Sequence, residues 1–162
     1  MSTTSRIMSC SERDVWNVLG DGWLMGVWVV GASRIRDVDR SWPELGATVH
    51  HSVGVWPLLT NDTTTVIAHN DARMTLNAKA WPAGEAEVVI STETVPAGTR
   101  VTITEDATKG PGLFIPRPLR SAGLTWRNTE SLRRLAYLAE NRRPASALTP
   151  GGSDHTPSGE MS

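Results

Sequence analysis

The chain has 162 residues and a formal net charge of −1, from 16 basic and 17 acidic residues. Its length fits one domain that buries a hydrophobic core, and the balanced charge gives no reason to expect a nucleic acid or an anionic membrane surface as partner. No apolar run approaches the roughly 20 residues that span a bilayer, and no signal peptide is recognisable, so we expect a cytoplasmic protein.

The residue types that bind metals or form covalent intermediates are poorly placed. Cys10 is the single cysteine, which excludes an internal disulfide and a cysteine-based zinc site, and we interpret it as a small apolar residue in a strand. His50 and His51 are adjacent and so point to opposite faces of a strand, while His69 and His155 are distant in sequence. No nucleophile motif or phosphate-binding loop is recognisable. We therefore expect neither a metal nor another cofactor.

Residues 3–10 predict a first strand, and the segment after it predicts two short helices. Ser11 is a typical N-cap residue, and acidic residues follow it in the first helical turn. Gly20 ends this first helix. The second short helix is predicted through residues 23–28.

Six further strands are predicted, each bounded by turn residues or by proline, which has no N–H to donate to a neighbouring strand. An Asn61-Asp62 turn precedes the third of these six. Seven strands that mostly follow one another predict an antiparallel meander. The six ranges are 33–39, 47–55, 63–69, 73–80, 85–94 and 99–105.

Alternation of apolar and polar residues assigns one face of each strand to the interior. The polar residues His51 and Glu105 fall on inward positions of this pattern. The sheet therefore has an apolar side, which a helix has to cover. The apolar inward positions include Val49, Val53, Met74, Leu76, Ala78, Ala80, Ala86, Val88, Ile90, Val101 and Ile103.

A long helix is predicted over residues 118–143. Its members Leu124, Asn128, Ser131 and Leu135 recur at three- and four-residue steps, which places them on one buried face. Two of these four residues are polar, as is typical of a cavity wall. Residues 144–162 are rich in Pro, Gly, Ser and Thr and predict a disordered tail, so the folded domain comprises residues 1–143.

A set of short motifs in a fixed order carries a family resemblance. They are Ser11-Glu12-Arg13-Asp14-Val15-Trp16, Asp21-Gly22-Trp23, Trp28, Gly31, Trp42-Pro43, Gly46, Val53-Gly54, Pro57-Leu58, Pro82-Ala83-Gly84, Gly98-Thr99, Val101, Arg127-Asn128, Leu132 and Leu135. Over about residues 2–143 the chain resembles the START-like superfamily, in its bacterial polyketide cyclase/dehydrase, lipid-transport or SRPBCC branch.

The resemblance implies an α+β helix-grip fold, in which a curved antiparallel seven-stranded sheet wraps around the long C-terminal helix. It also implies a deep cavity between sheet and helix for a lipid, sterol or polyketide. Many such proteins are carriers or sensors and a few are cyclases, aromatases or hydrolases, so the fold implies no single activity. No motif here matches a catalytic residue of the family.

Three inward polar side chains are candidates for a functional role. Glu105 and His51 would act as acid and base in a cavity, or Glu105 would pair with Arg127 and His51 would be a satisfied core histidine. Asn128 lies in the middle of the helical stripe and either lines the cavity or serves the structure. The apolar ligand-binding candidates are Trp23, Trp28, Met74, Leu76 and Leu124, with Trp56 at the rim.

These patterns predict a protein that binds or carries a small hydrophobic or amphipathic molecule between sheet and helix. An alternative is a polyketide cyclase or dehydratase that uses Glu105 and His51 in the same cavity. A third reading fills the cavity with side chains and places the function on the outer face of the sheet. The small inward residues Ala78, Ala80 and Ala86 argue against that third reading.

Overall fold

The structure is a computed structural model, and it describes residues 1–55, 58–80, 84–110 and 117–142. A short 3₁₀ turn, Gly22–Leu24, lies between the first two helices. The elements are β1 (Ser2–Met8), α1 (Glu12–Leu19), α2 (Met25–Trp28), β2 (Ala32–Val38), β3 (Thr48–Val55), β4 (Leu58–Asn70), β5 (Arg73–Ala80), β6 (Gly84–Val95), β7 (Gly98–Lys109) and α3 (Arg117–Asn141).

The seven strands form one curved antiparallel sheet with the order β1-β7-β6-β5-β4-β3-β2. Strands β2 to β7 therefore lie beside their neighbours in sequence, and β1 closes the far edge against β7. Irregular register in β2, in β4 and near the end of β7 marks β-bulges, which increase the local twist of a sheet. The predicted seven-stranded meander is confirmed.

The first helix begins where the capping residues predict. The Ser11 hydroxyl accepts a hydrogen bond from the Asp14 N–H at 3.2 Å, and the Asp14 carboxylate accepts one from the Ser11 N–H at 3.1 Å. This reciprocal pair satisfies backbone donors that a helix start otherwise leaves open. The second predicted helix consists of the 3₁₀ turn followed by the four residues of α2.

The predicted turn at Asn61-Asp62 is wrong, because β4 already begins at Leu58. Within β4, Asn61 pairs with Ser52 and Asp62 pairs with His51. The Asn61 side-chain oxygen accepts a hydrogen bond from the Ser52 hydroxyl at 3.2 Å. Two residues typical of turns therefore have partners on the neighbouring strand, which the local sequence does not reveal.

Cys10 lies in the bend between β1 and α1, so its predicted position in a strand is also wrong. The pairing with β7 stops at Met8, opposite Thr99. Beyond it the Ser9 N–H donates to the Glu140 carboxylate at 2.7 Å, and the Cys10 carbonyl accepts from the Thr99 hydroxyl at 2.9 Å. These contacts replace the strand ladder and turn the chain toward α1.

Helix α3 covers the interior face of the sheet and contacts β1, β7, α1 and α2. The buried stripe predicted for this helix is confirmed at Asn128, Ser131 and Leu135, while Leu124 is only half-buried. Leu132, Ala136 and Ala139 complete its buried face. The tail predicted over 144–162 lies outside the described residues. In the part of the chain that the structure describes, no helix combines the length and the apolar content that a membrane crossing requires.

Candidate ligand-binding cavity

A cavity of about 120 Å³ lies between the sheet and α3 and is partly open to solvent. Strands β3 to β7 supply one wall, α3 supplies the opposite wall, and the segment from α2 into β2 closes one end. The apolar residues that line it are Met25, Trp28, Val29, Val30, Ala32, Val53, Leu76, Ala78, Ala86, Val88, Ile90 and Ile103.

The volume limits what the cavity holds in this conformation. One water molecule takes roughly 30 Å³ of liquid, and an engineered apolar cavity of about 150 Å³ binds benzene. Pockets for drug-sized ligands are larger, about 300–1,000 Å³. The enclosed space of about 120 Å³ therefore matches a single ring or the end of a longer molecule.

His51 projects from β3 into the cavity wall and is 5% exposed. Its Nε2 lies 2.9 Å from the Thr64 hydroxyl of β4, so this side of the ring is hydrogen-bonded. Its Nδ1 is buried and has no hydrogen-bond partner among the residues that the structure describes. Burial lowers the pKa of His51 below its ordinary value, Arg36 and His50 act in the same direction, and Asp62 opposes them. The imidazole is therefore neutral at neutral pH.

Asn128 faces the sheet from the middle of α3 and is 3% exposed. Its side-chain nitrogen Nδ2 is buried, and no described residue forms a hydrogen bond with it. One turn further along α3, the Ser131 hydroxyl accepts a hydrogen bond from the Val30 N–H at 3.1 Å. Ser131 therefore fixes the segment between α2 and β2 to the helix, and Asn128 keeps a free donor at the cavity.

Glu105 of β7 and Arg127 of α3 form an ion pair at the cavity wall. The Glu105 carboxylate accepts a hydrogen bond from the Arg127 guanidinium. The carboxylate is nearly buried, whereas the Arg127 side chain is 36% exposed. The predicted contact between these two residues is confirmed, and it joins the helix to the sheet.

Metal and thiol chemistry have little support in the described part of the chain. No cluster of three or more His, Cys, Asp or Glu residues there has the geometry of a metal site. Burial, with the carboxylates of Asp14 and Glu140, raises the pKa of Cys10 to about 11. Its thiol is therefore protonated at neutral pH and a poor nucleophile.

Solved structures share this architecture at low sequence identity. A structural-genomics protein from Nitrosomonas europaea is 18% identical with a TM-score of 0.65, over 85% of this chain and 92% of its own. The di-domain ARO/CYC StfQ from the steffimycin biosynthetic pathway is 9% identical with a TM-score of 0.67, over 85% of this chain and 49% of its own. Ara h 8.0201 is 10% identical with a TM-score of 0.65, over 86% of this chain and 97% of its own.

This chain has a START-like helix-grip fold. At these identities the likeness concerns the fold alone. The chain corresponds to about half the length of StfQ. No protein-family model matches the sequence, and no curated protein matches it.

Within the START-like fold, the sequence-predicted residues separate into two groups. Trp28, His51, Leu76, Glu105 and Asn128 come together around the cavity. The predicted lining residues Trp23, Met74 and Leu124 are not part of that lining, and Trp56 lies outside the described residues.

Each of these three residues has a different environment. Trp23 lies in the 3₁₀ turn and its side chain is 56% exposed. Its backbone N–H donates a hydrogen bond to the Asp21 carboxylate at 3.2 Å. Met74 is 1% exposed and packs in the hydrophobic core instead. Leu124 is half-buried near the start of α3. Burial alone therefore does not identify a cavity residue in this fold.

Sequence reasoning missed the lining contributed by Met25, Val29, Val30 and Gly31. Met25 is the first residue of α2, and the other three connect α2 to β2. The run of apolar residues before Gly31 was the available signal, since a short loop seldom carries so many. The hydrogen bond from Val30 to Ser131 then places this run against α3.

Proposed function

We propose that this protein binds a small, mostly apolar molecule in the cavity between the sheet and α3, and acts as a carrier or receptor for it. The observation that supports this is the cavity itself, an apolar space of about 120 Å³ that is partly open to solvent. The small side chains of Ala78 and Ala86, paired on β5 and β6, leave that space open. A core that served stability alone would be packed without such a void.

Burial against the apolar wall is sufficient to bind a ring-sized ligand with measurable affinity. A ring of six to eight heavy atoms that is fully enclosed binds with a free energy on the order of −4 to −8 kcal/mol, or a Kd of about 1 mM to 1 µM. A longer ligand gains further contacts outside the enclosed space, where the cavity opens. The polar side chains of His51 and Asn128 orient the bound molecule.

The experiment compares the ligands that the protein retains on purification from its own host. Ala78→Leu places an aliphatic side chain in the cavity, whereas Thr75→Leu adds a similar side chain on the outer face of the same strand. Native mass spectrometry should show a bound small molecule on the wild type and on Thr75→Leu, and none on Ala78→Leu. A molecule that stays bound to Ala78→Leu would show that another part of the protein holds it.

A second candidate is an enzyme of the cyclase or dehydratase type. It is favoured by two solved ARO/CYC proteins with this fold, StfQ and BexL. Glu105 would be its acid or base, yet the Glu105 carboxylate is already bound to Arg127. The retained molecule should therefore keep its mass during incubation with the wild type. Turnover that Glu105→Gln abolishes, with binding and fold intact, would establish the enzyme instead.

A further inference from the structure

Two polar atoms of residues that line the cavity have no hydrogen-bond partner in the described part of the chain. They are Asn128 Nδ2 on the helix wall and His51 Nδ1 on the sheet wall, and both residues are more than nine-tenths buried. Buried polar atoms are nearly always hydrogen-bonded, because their desolvation is otherwise uncompensated. Their position at a cavity indicates that a ligand supplies the missing partners.

The other polar side chains of the cavity wall are already engaged. The Thr64 hydroxyl is bonded to His51 Nε2, and the Ser131 hydroxyl accepts from the Val30 N–H. Glu105 is paired with Arg127. Lys79 is exposed, so its ammonium group is hydrated rather than buried. Among the described residues, the buried side-chain atoms of this wall that lack a partner are thus one amide nitrogen and one imidazole nitrogen.

The balance of charge favours an uncharged ligand. Glu105 and Arg127 offset each other, and burial keeps His51 neutral at neutral pH. A carboxylate or an ammonium group placed beside Asn128 and His51 would lose its hydration without gaining an unpaired counter-charge. A hydroxyl or carbonyl oxygen loses much less hydration free energy than a charged group, and it accepts the hydrogen bond that an amide N–H donates.

We propose that the ligand carries an uncharged hydroxyl or carbonyl oxygen on a ring-sized apolar body, and that this oxygen binds Asn128 Nδ2 with His51 Nδ1 as a second anchor. This inference rests on the proposed function, because it concerns the same cavity. The ring packs against the aliphatic side chains of β6 and β7, and the oxygen faces the gap between β3 and α3.

Phenol and toluene test this directly, since they have nearly the same shape and differ in the oxygen. Each is titrated into ¹⁵N-labelled protein, and the dissociation constant is obtained from the amide shifts of cavity residues. Phenol should bind at least about 10-fold more tightly than toluene, and benzoate more weakly than phenol. Equal binding of phenol and toluene by the wild type would overturn the oxygen anchor and leave the cavity-binding function intact.

Two variants assign the preference to one side chain. Asn128→Leu removes the donor at nearly constant size and should abolish the preference for phenol over toluene. Asn17→Leu makes the same substitution at an exposed position of α1 and should retain that preference. A preference that survives in a folded Asn128→Leu protein would overturn the assignment. If none of the three probes binds the wild type, the proposed function fails, and this inference fails with it.

Discussion

The carboxylate of Glu105 in β7 accepts a hydrogen bond from the guanidinium of Arg127 in α3. One partner belongs to the last strand of the sheet and the other to the helix that covers it. The pair lies at the wall of the cavity. This ion pair therefore affects both the attachment of α3 to the sheet and the shape of the cavity.

Removing either charge should therefore weaken the contact between helix and sheet. Glu105→Gln and Arg127→Leu should each lower the free energy of unfolding by roughly 1–3 kcal/mol, because each leaves a partly buried charge without its partner. The double variant should lose less than the sum of the two. Urea denaturation followed by circular dichroism measures all three values.

The surface pair of Glu93 and Arg100 is the matched control. The Glu93 side chain is 65% exposed and the Arg100 side chain 42%, so Glu93→Gln should cost less than about 1 kcal/mol. If Glu105→Gln cost no more than Glu93→Gln, the buried pair would contribute no more than an ordinary surface contact.

The buried His51 should make stability depend on pH in one direction. Its folded-state pKa is lower than the unfolded value near 6.5, because burial disfavours the charged ring. The stability that depends on a neutral His51 is therefore fully present above about pH 6.5. It is lost as the pH falls through the lower folded-state pKa. Between pH 7 and pH 5, the free energy of unfolding should fall more steeply for the wild type than for His51→Gln.

The neighbouring histidine provides the comparison for this measurement. His50→Gln removes only a minor cause of the lowered pKa of His51 and leaves the burial of that ring unchanged, so most of the steep wild-type dependence on pH should remain. Parallel profiles for the wild type and His51→Gln would show that the buried imidazole does not cause the effect.

Two glycines should respond in opposite directions to the same substitution. Gly98, the first residue of β7, has φ +126, and a Cβ there would lie 2.1 Å from the Met8 carbonyl oxygen. Gly98→Ala should therefore lower the free energy of unfolding by at least about 2 kcal/mol.

Gly123 lies in α3 with open space around it, so Gly123→Ala should raise the free energy of unfolding by about 0.5–1 kcal/mol. Thermal unfolding measures both, and a stabilising Gly98→Ala would contradict the close approach of the β6–β7 turn to the end of β1.

The thiol of Cys10 should react slowly in the folded protein. Its pKa rises from 9.0 to about 11, so the thiolate fraction at pH 8 falls about 100-fold. Alkylation by iodoacetamide at pH 8 should be slower by a comparable factor in the native protein than in urea, as followed by intact mass. Equal rates in the two states would mean that neither burial nor the nearby carboxylates protect the thiol.

Local patterns in the sequence determined most of the secondary structure. The strand predicted over 73–80 is observed as Arg73–Ala80, and the Ser11 cap begins α1 as predicted. Alternation also placed His51 and Glu105 on the interior face, where both are buried. These features follow from the chemistry of neighbouring residues, since a cap or an alternating strand is specified within a few positions.

The lining of the cavity was harder to predict from the sequence, because it depends on contacts between distant segments. Trp23 belongs to a predicted helix yet is mostly exposed, while Met25 two positions later lines the cavity. Ser131 meets Val30 across about a hundred residues of chain. The way α3 lies on the sheet leaves Asn128 Nδ2 without a partner among the described residues.

The sequence by itself determined most of the strands and helices and most of the faces that they bury. Only the tertiary structure decided that the space between them is about 120 Å³, and that Asn128 and His51 keep free polar atoms beside it. The physical reason is that burial follows from the local pattern of apolar residues. The size of a cavity and the pairing of its polar atoms depend instead on how far apart the two packed walls lie.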